Sequence, residues 1–279
     1  MASRTSNDNL SVASPAPFYS RLRGFLAKKP ELFRIARIAR LGALIGPWRP
    51  LLVRYYRTFN RNPTVHAIGP TLIPDVNVAE VVSRLERTGL AVCGVLPEDC
   101  IQRLVEQCGP MQRATIDNCH DKWDAIRKIA YDAKFLEIAR KYIGAEPIVN
   151  SSCIWWSIPG VRNLDGMSAN GHIGTFHFDA ADCKSVVVYV YLTDVLDEKY
   201  GPHMAIEGTH RTKTLSDLVN VYIDDETANR KFGGRIRTVL GGRGTFMFEE
   251  QTIYHKGLLA EKPRLMLAIN YTLRRKPVN

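Results

Sequence analysis

No stretch of this 279-residue chain approaches the ~20 consecutive apolar residues that a membrane-spanning helix needs. Met1 to Ser14 is polar, without the apolar run of a secretory signal, so an intracellular chain is expected. The six cysteines (Cys93, Cys100, Cys108, Cys119, Cys153 and Cys183) include no Cys-x-x-Cys pair and follow no regular spacing. That argues against a disulfide framework and for free thiols in a reducing, cytoplasmic setting. Internal repeats and dominant low-complexity tracts are also missing. Acidic residues are scarce at one end: residues 1–63 carry only Asp8 and Glu31 against twelve Lys/Arg. The other 216 residues hold 26 basic and 26 acidic side chains, so the whole formal charge of +10 sits in this arm. A neutral body with a cationic arm is not the pattern of a nucleic-acid enzyme, whose positive field lines the cleft.

What is present suffices for one sizeable core, since 45% of residues are apolar. Residues 1–15 are rich in Ser, Asn, Ala and Pro and are expected to be disordered. Residues 16–63 form a basic, partly helical extension, with one helix opened by Pro30 and closed by Gly46-Pro47. In it Arg34, Arg37 and Arg40 drift along one side and Ile35, Ile38 and Leu41 along the next. Trp48, Leu51, Leu52, Tyr55 and Tyr56 continue the mixture over residues 16–61. Such a segment suits peripheral contact with an anionic lipid surface on the inner face of a membrane, or an apolar flank packed on the body. Residues 64–279 read as a single domain. Helices are expected over Val78–Arg87, Pro97–Cys108 and Lys134–Ile143, and Leu90–Val95 as a short strand. Beyond them come short β-branched and aromatic runs separated by turns. Helices first and strands afterwards indicate a mainly β sandwich or barrel with flanking helices.

In the run FHFDAAD, His177 and Asp179 are separated by one residue. On a strand, alternate side chains share a face, so imidazole and carboxylate converge while Phe178 enters the opposite layer. Two such ligands and a distant histidine make a facial triad, which leaves three adjacent positions open on Fe(II). The strand KSVVVYVYLTDV follows, then GPHMAIEGTHR, a polar insert over Ser216–Arg235 that could close over a pocket, Gly244-Thr245-Phe246-Met247-Phe248-Glu249, His255, and Arg264 opening RLMLAINY. In this order, over roughly residues 78 to 275, the chain resembles the phytanoyl-CoA dioxygenase family.

The resemblance implies a double-stranded β-helix (jelly-roll, cupin-like) core packed by N-terminal helices. It implies an oxygenase using Fe(II), 2-oxoglutarate and O2, releasing succinate and CO2 as it hydroxylates an unactivated C–H bond. His177, Asp179 and His255 match the iron ligands. Arg264, nine residues beyond His255, matches the residue that grips the distal carboxylate of 2-oxoglutarate. A guanidinium suits that role because its planar fork pairs with a carboxylate. Strand alternation puts Arg264, Met266, Ala268 and Asn270 on one face. Thr193, Tyr189 and Trp156 are further candidates for co-substrate contact. Two departures stand out: Gly244-Thr245 replaces the Gly-Asp of many relatives, and Gly257 occupies a position where some carry a hydroxyl. Related halogenases lack the carboxylate ligand, which Asp179 keeps.

His172, Lys184, His203 and Arg211 are candidates for substrate contact, the two histidines otherwise being solvated loop residues; His210 is expected to hold a turn. Two other readings are a non-catalytic, membrane-associated binding protein on the same barrel, and a metal-dependent cupin enzyme without 2-oxoglutarate. The substrate class stays open among small molecules, lipids and glycans.

Overall fold

The computed structural model describes residues 30–109, 115–159, 174–211 and 213–275. The expected disorder of residues 1–15 and the candidate His172 fall outside them. Helix α1 (Pro30–Ile45) stops at Gly46, where a Cβ would lie 2.5 Å from the Gly42 carbonyl oxygen, and α2 (Arg49–Thr58) follows. Helix α3 (Val78–Thr88) starts where the Asn77 side chain accepts from Glu80 N–H. It ends at Gly89, whose φ of 82° is the left-handed conformation glycine adopts without strain. Strand β1 (Leu90–Val95) and α4 (Glu98–Cys108) come next, then β2 (Ile116–Asp117), α5 (Cys119–Lys122), α6 (Asp124–Ala130) and α7 (Ala133–Ile143). The Asp132 side chain caps α7 by accepting from Lys134 and Phe135 N–H. The rest is largely strand: β3 (Ile148–Ser157), β4 (Phe176–His177), β5 (Ser185–Tyr191) and β6 (His203–Ile206). Helix α8 (Leu215–Val219), β7 (Tyr222–Ile223) and α9 (Asp225–Phe232) precede β8 (Ile236–Val239), β9 (Thr245–Glu249), β10 (Tyr254–Gly257) and β11 (Arg264–Thr272).

These strands form two antiparallel sheets, ordered β1-β9-β5-β11-β3-β2 and β7-β4-β10-β6-β8. Every residue of β5 is buried, because both faces of the large sheet are covered. The two-residue period sorts them. Val186, Val188 and Val190, with Phe246, Phe248, Leu265 and Leu267, pack outward on α3, α4, α6 and α7. Val187, Tyr189, Tyr191, Met247, Met266 and Ala268 point inward, toward Ala205 of the small sheet. Phe135 of α7 shows how firm the outer layer is: its ring centroid lies 5.3 Å from those of both Phe246 and Phe248.

The small sheet has its own outer core, in which Phe176, Phe178, Ile206 and Tyr254 meet Leu41 and Ile45 of α1 and Leu218 and Ala228 of α8 and α9. The inner flank of the basic arm is therefore part of the body, and Val53 of α2 joins the helical core. The Ser216–Arg235 insert packs on the small sheet and reaches His177: Tyr254 Oη donates to Asp217 Oδ1 at 2.9 Å, and Tyr222 of β7 pairs with His177, their ring centroids 6.1 Å apart. Among the described residues all six cysteines are free, and burial pushes the Cys93, Cys153 and Cys183 thiols up to about 12.

Candidate metal centre

Strands β4 and β10 pair through one register point, His177 opposite His255, which brings residues distant in sequence side by side on the inner face. Phe178 turns the other way and meets the Tyr254 ring at 5.3 Å, as strand alternation requires. Regular pairing ends at His177, but Asp179 N–H donates to the Gln251 carbonyl at 2.8 Å and holds the carboxylate beside the rings. One ligand atom from each of His177, Asp179 and His255 lies within 4.8 Å of the others, and His255 Nε2 is 3.7 Å from Asp179 Oδ2. The two imidazoles, 8% and 4% exposed, turn Nδ1 toward the carbonyls of Thr175 (3.1 Å) and Ile253 (3.2 Å). A proton on each Nδ1 leaves the Nε2 lone pairs for a metal, the usual way a backbone acceptor fixes the tautomer of a ligating histidine. Asp179, with 53% of its side chain exposed, marks the open side.

Behind His255 lies a buried pair of which the sequence flagged only His203. Glu249, on the inner face of β9 and 0% exposed, has Oε1 3.2 Å from His255 Nδ1 and Oε2 2.6 Å from His203 Nε2. Burial pushes Glu249 up to about 8 and His203 down to about 3, so the pair rests as a neutral acid and a neutral imidazole. The His203 ring is 5.6 Å from that of His255 and 4.8 Å from that of Tyr189, a buried inward residue of β5. His203 is thus a buried strand residue beside the site, not a solvated loop residue.

Arg264, opening β11 opposite Ser157, places a buried charge on the same inner face. It is 2% exposed and forms no ion pair among the described residues. Nη1 donates to the Gly201 carbonyl, Nη2 donates to Ser157 Oγ at 3.0 Å, and Nε has no acceptor among the described residues. Desolvation lowers its pKa, with Tyr191 the one ionisable neighbour that counters this. Gly257 faces the guanidinium: a Cβ there would stand 3.1 Å from Nη2, so the missing side chain leaves the fork uncrowded. Ser157, which the β3–β11 register sets opposite Arg264, presents its hydroxyl to the guanidinium.

Several other candidates sit elsewhere. Trp156 pairs with Leu265 and belongs to the outer face, packed on the helical core; alternation points its neighbour Trp155, opposite Met266, inward. Lys184 turns away from the metal residues, 3.4 Å from Glu250 Oε2 and over the Tyr142 ring. Arg211 donates to the Glu86 carbonyl at the end of α3, where His210 Nε2 also donates, at 3.2 Å. Thr193 Oγ1 accepts from Leu265 N–H at 3.0 Å, which braces the start of β11 beside Arg264.

No protein-family model matches the chain, and no curated protein matches it. Solved structures do. EctD from S. alaskensis, in its apoform, superposes with a TM-score of 0.53 at 18% identity, over 76% of this chain and 82% of its own. AviO1 from Streptomyces viridochromogenes Tue57 gives 0.52 at 16%, covering 76% of this chain and 100% of its own. The non-haem α-ketoglutarate-dependent epimerase SnoN of nogalamycin biosynthesis gives 0.51 at 16%, covering 70% and 80%. What is shared is the fold. The chain is a double-stranded β-helix of the kind these enzymes use, with helices packed outside the larger sheet.

Proposed function

We propose that the chain is an Fe(II)- and 2-oxoglutarate-dependent dioxygenase of the phytanoyl-CoA dioxygenase type, hydroxylating an unactivated C–H bond of a small-molecule, lipid or glycan substrate. The observation that carries this reading is Arg264, a desolvated guanidinium with an idle Nε and no anionic partner among the described residues. A buried unpaired charge is costly, and a carboxylate arriving from solution offsets that cost. The donor set nearby suits a ferrous ion: two imidazoles and one carboxylate converge from one face. Iron and 2-oxoglutarate, when bound with O2, supply an oxidant strong enough for an unactivated C–H bond and leave succinate and CO2.

In this reading His177, Asp179 and His255 hold the metal. Arg264 and Ser157 take the far carboxylate of 2-oxoglutarate, and Thr193 keeps the Arg264 strand in place. Tyr189 and Trp155 line the inner wall, where they exclude water. Retention of Asp179 favours hydroxylation over halide transfer. The solved SnoN complex with Fe3+ and α-ketoglutarate and the EctD complex with 2-oxoglutarate and 5-hydroxyectoine agree with this choice of metal and co-substrate.

The test is an anaerobic titration of the protein with Fe(II) and then 2-oxoglutarate, followed in the visible for the weak metal-to-ligand charge-transfer band. Appearance of the band, and succinate on admitting O2, is the expected result; absence of both refutes the proposal. A cupin enzyme that does without 2-oxoglutarate would keep its activity when Arg264 is replaced.

A further inference from the structure

Packing α1 and α2 on the body uses only one flank of each helix. Leu41, Ile45 and Val53 are buried, whereas Ile35 is 62% exposed, Trp48 50%, Leu51 71%, Tyr55 56% and Phe59 63%. At 100° per residue, Trp48, Leu51, Tyr55 and Phe59 fall within an arc of about 80° along α2 and its caps. They form one continuous stripe, with the Tyr55 and Phe59 ring centroids 5.0 Å apart. Trp48 Nε1 donates to the Ala43 carbonyl at 3.0 Å, which ties this stripe to the end of α1 and so to the side that carries Ile35. Exposed Arg34, Arg54 and Arg61 flank the apolar set and form no ion pair among the described residues.

We infer that this stripe docks on an anionic lipid surface. Its side chains are of the interfacial kind, long apolar and aromatic groups edged by guanidinium. Charge complementarity selects lipid over a second copy of the chain: the +10 excess lies within residues 1–63, and a two-fold contact through the stripe would set two cationic arms against each other. Phosphatidylglycerol-like headgroups attract the same arginines that repel a twin.

The opposite flank of the arm holds the segment that follows the metal carboxylate. Arg40 Nη2 donates to the Ala180 carbonyl at 3.2 Å, and Arg49 Nε donates to the Cys183 carbonyl at 2.7 Å. A docked arm therefore puts at least one helix diameter, ~10 Å, between the headgroups and the segment that follows Asp179. Resting on the iron-site reading in this one respect, the substrate class narrows to an amphiphile taken from the leaflet.

Co-sedimentation of the full chain with phosphatidylcholine vesicles, with and without phosphatidylglycerol, tests the docking apart from any catalysis. Binding is expected only to the anionic vesicles, weakening as salt is raised. The pair Leu51→Glu and Phe59→Glu, both at exposed positions, is expected to cut it by at least about tenfold while the thermal unfolding curve and the charge-transfer band stay unchanged. Failure of the wild type to bind anionic vesicles, equal binding to neutral ones, or equal binding by the double variant overturns the inference. So does a dimer in light scattering that the double variant abolishes. A missing charge-transfer band with intact vesicle binding would instead fault the iron-site reading.

Discussion

Replacing Arg264 by methionine separates two properties that ordinarily fall together. A structural arginine and a ligand-anchoring one both lie buried, but only the second is worse off without its ligand. Arg264 is 2% exposed, keeps two neutral acceptors, Gly201 O and Ser157 Oγ, and meets no carboxylate among the described residues. In the ligand-free protein methionine removes a desolvated charge and leaves two acceptors unfilled, at about 1 kcal/mol each. These effects oppose each other, so stability is expected to stay within about 2 kcal/mol of wild type, a shift of a few degrees in Tm. Binding is different. Breaking a buried charge pair costs about 3–5 kcal/mol, so the Kd for 2-oxoglutarate should rise by about 150- to 4000-fold. Thermal unfolding under nitrogen with Fe(II) reads both quantities in one experiment. At 100 times its Kd, 2-oxoglutarate stabilises wild type by about 2.7 kcal/mol and the variant by almost nothing. A variant that unfolds far below wild type yet keeps its full response to 2-oxoglutarate would refute the assignment, because the guanidinium would then serve the fold alone.

Asp179→Ala removes a half-exposed ligand, so the unfolding midpoint should move by less than about 0.5 kcal/mol while bound iron, counted by metal analysis, is lost. Arg49→Met attacks the joint between arm and barrel. Glu250, 0% exposed, would rise with burial but is held down to about 2, first by Arg49 at 2.8 Å and then by Lys184. Leaving that carboxylate short of its main partner should cost about 3 kcal/mol in urea unfolding. His210 makes a pH prediction: burial pushes it down to about 4, and its Nδ1 has no hydrogen-bond partner among the described residues. Its folded pKa lies below the unfolded value of about 6.5, so the stability of the neutral ring is complete above pH 6.5 and is lost as pH falls toward 4. The loss is about 3 kcal/mol. His210→Gln should flatten the stability curve across that window, and a slope equal to wild type would reject the reasoning.

Punctuation by glycine and proline was the readable part of the fold. Pro30, Gly46, Gly89 and Gly144 bound helices within a residue or so of where the sequence puts them, since helix ends depend on local backbone chemistry. The short helices α5 and α6, over residues 119–130, were not anticipated. They have no side-chain cap, and their apolar residues Cys119, Ile126 and Ile129 are set by the core they fill. Alternation gave the inward face of β11 correctly, but Trp155, not the Trp156 expected from the sequence, is the inward residue. Trp155 and Trp156 differ by one position, and one position inverts the face. The register with β11, a long-range property, decides it.

The acidic residues Glu249 and Glu250 show the same limit where it matters for chemistry. Side by side at the end of β9, they drew no site assignment from the sequence. Both are 0% exposed, and alternation sends them to opposite sides of the sheet. Glu249 goes inward to His203 and His255, and Glu250 goes outward to Arg49, Lys184 and Tyr142. A one-residue slip of β9 would exchange them. Because both are glutamates, whose charge is set by what they face, the exchange by itself changes little; what opposes the slip is that it would also turn Phe246 and Phe248 out of the helical core and Met247 out of the interior. The register that positions His255 from behind is the same register that fastens the basic arm to the barrel.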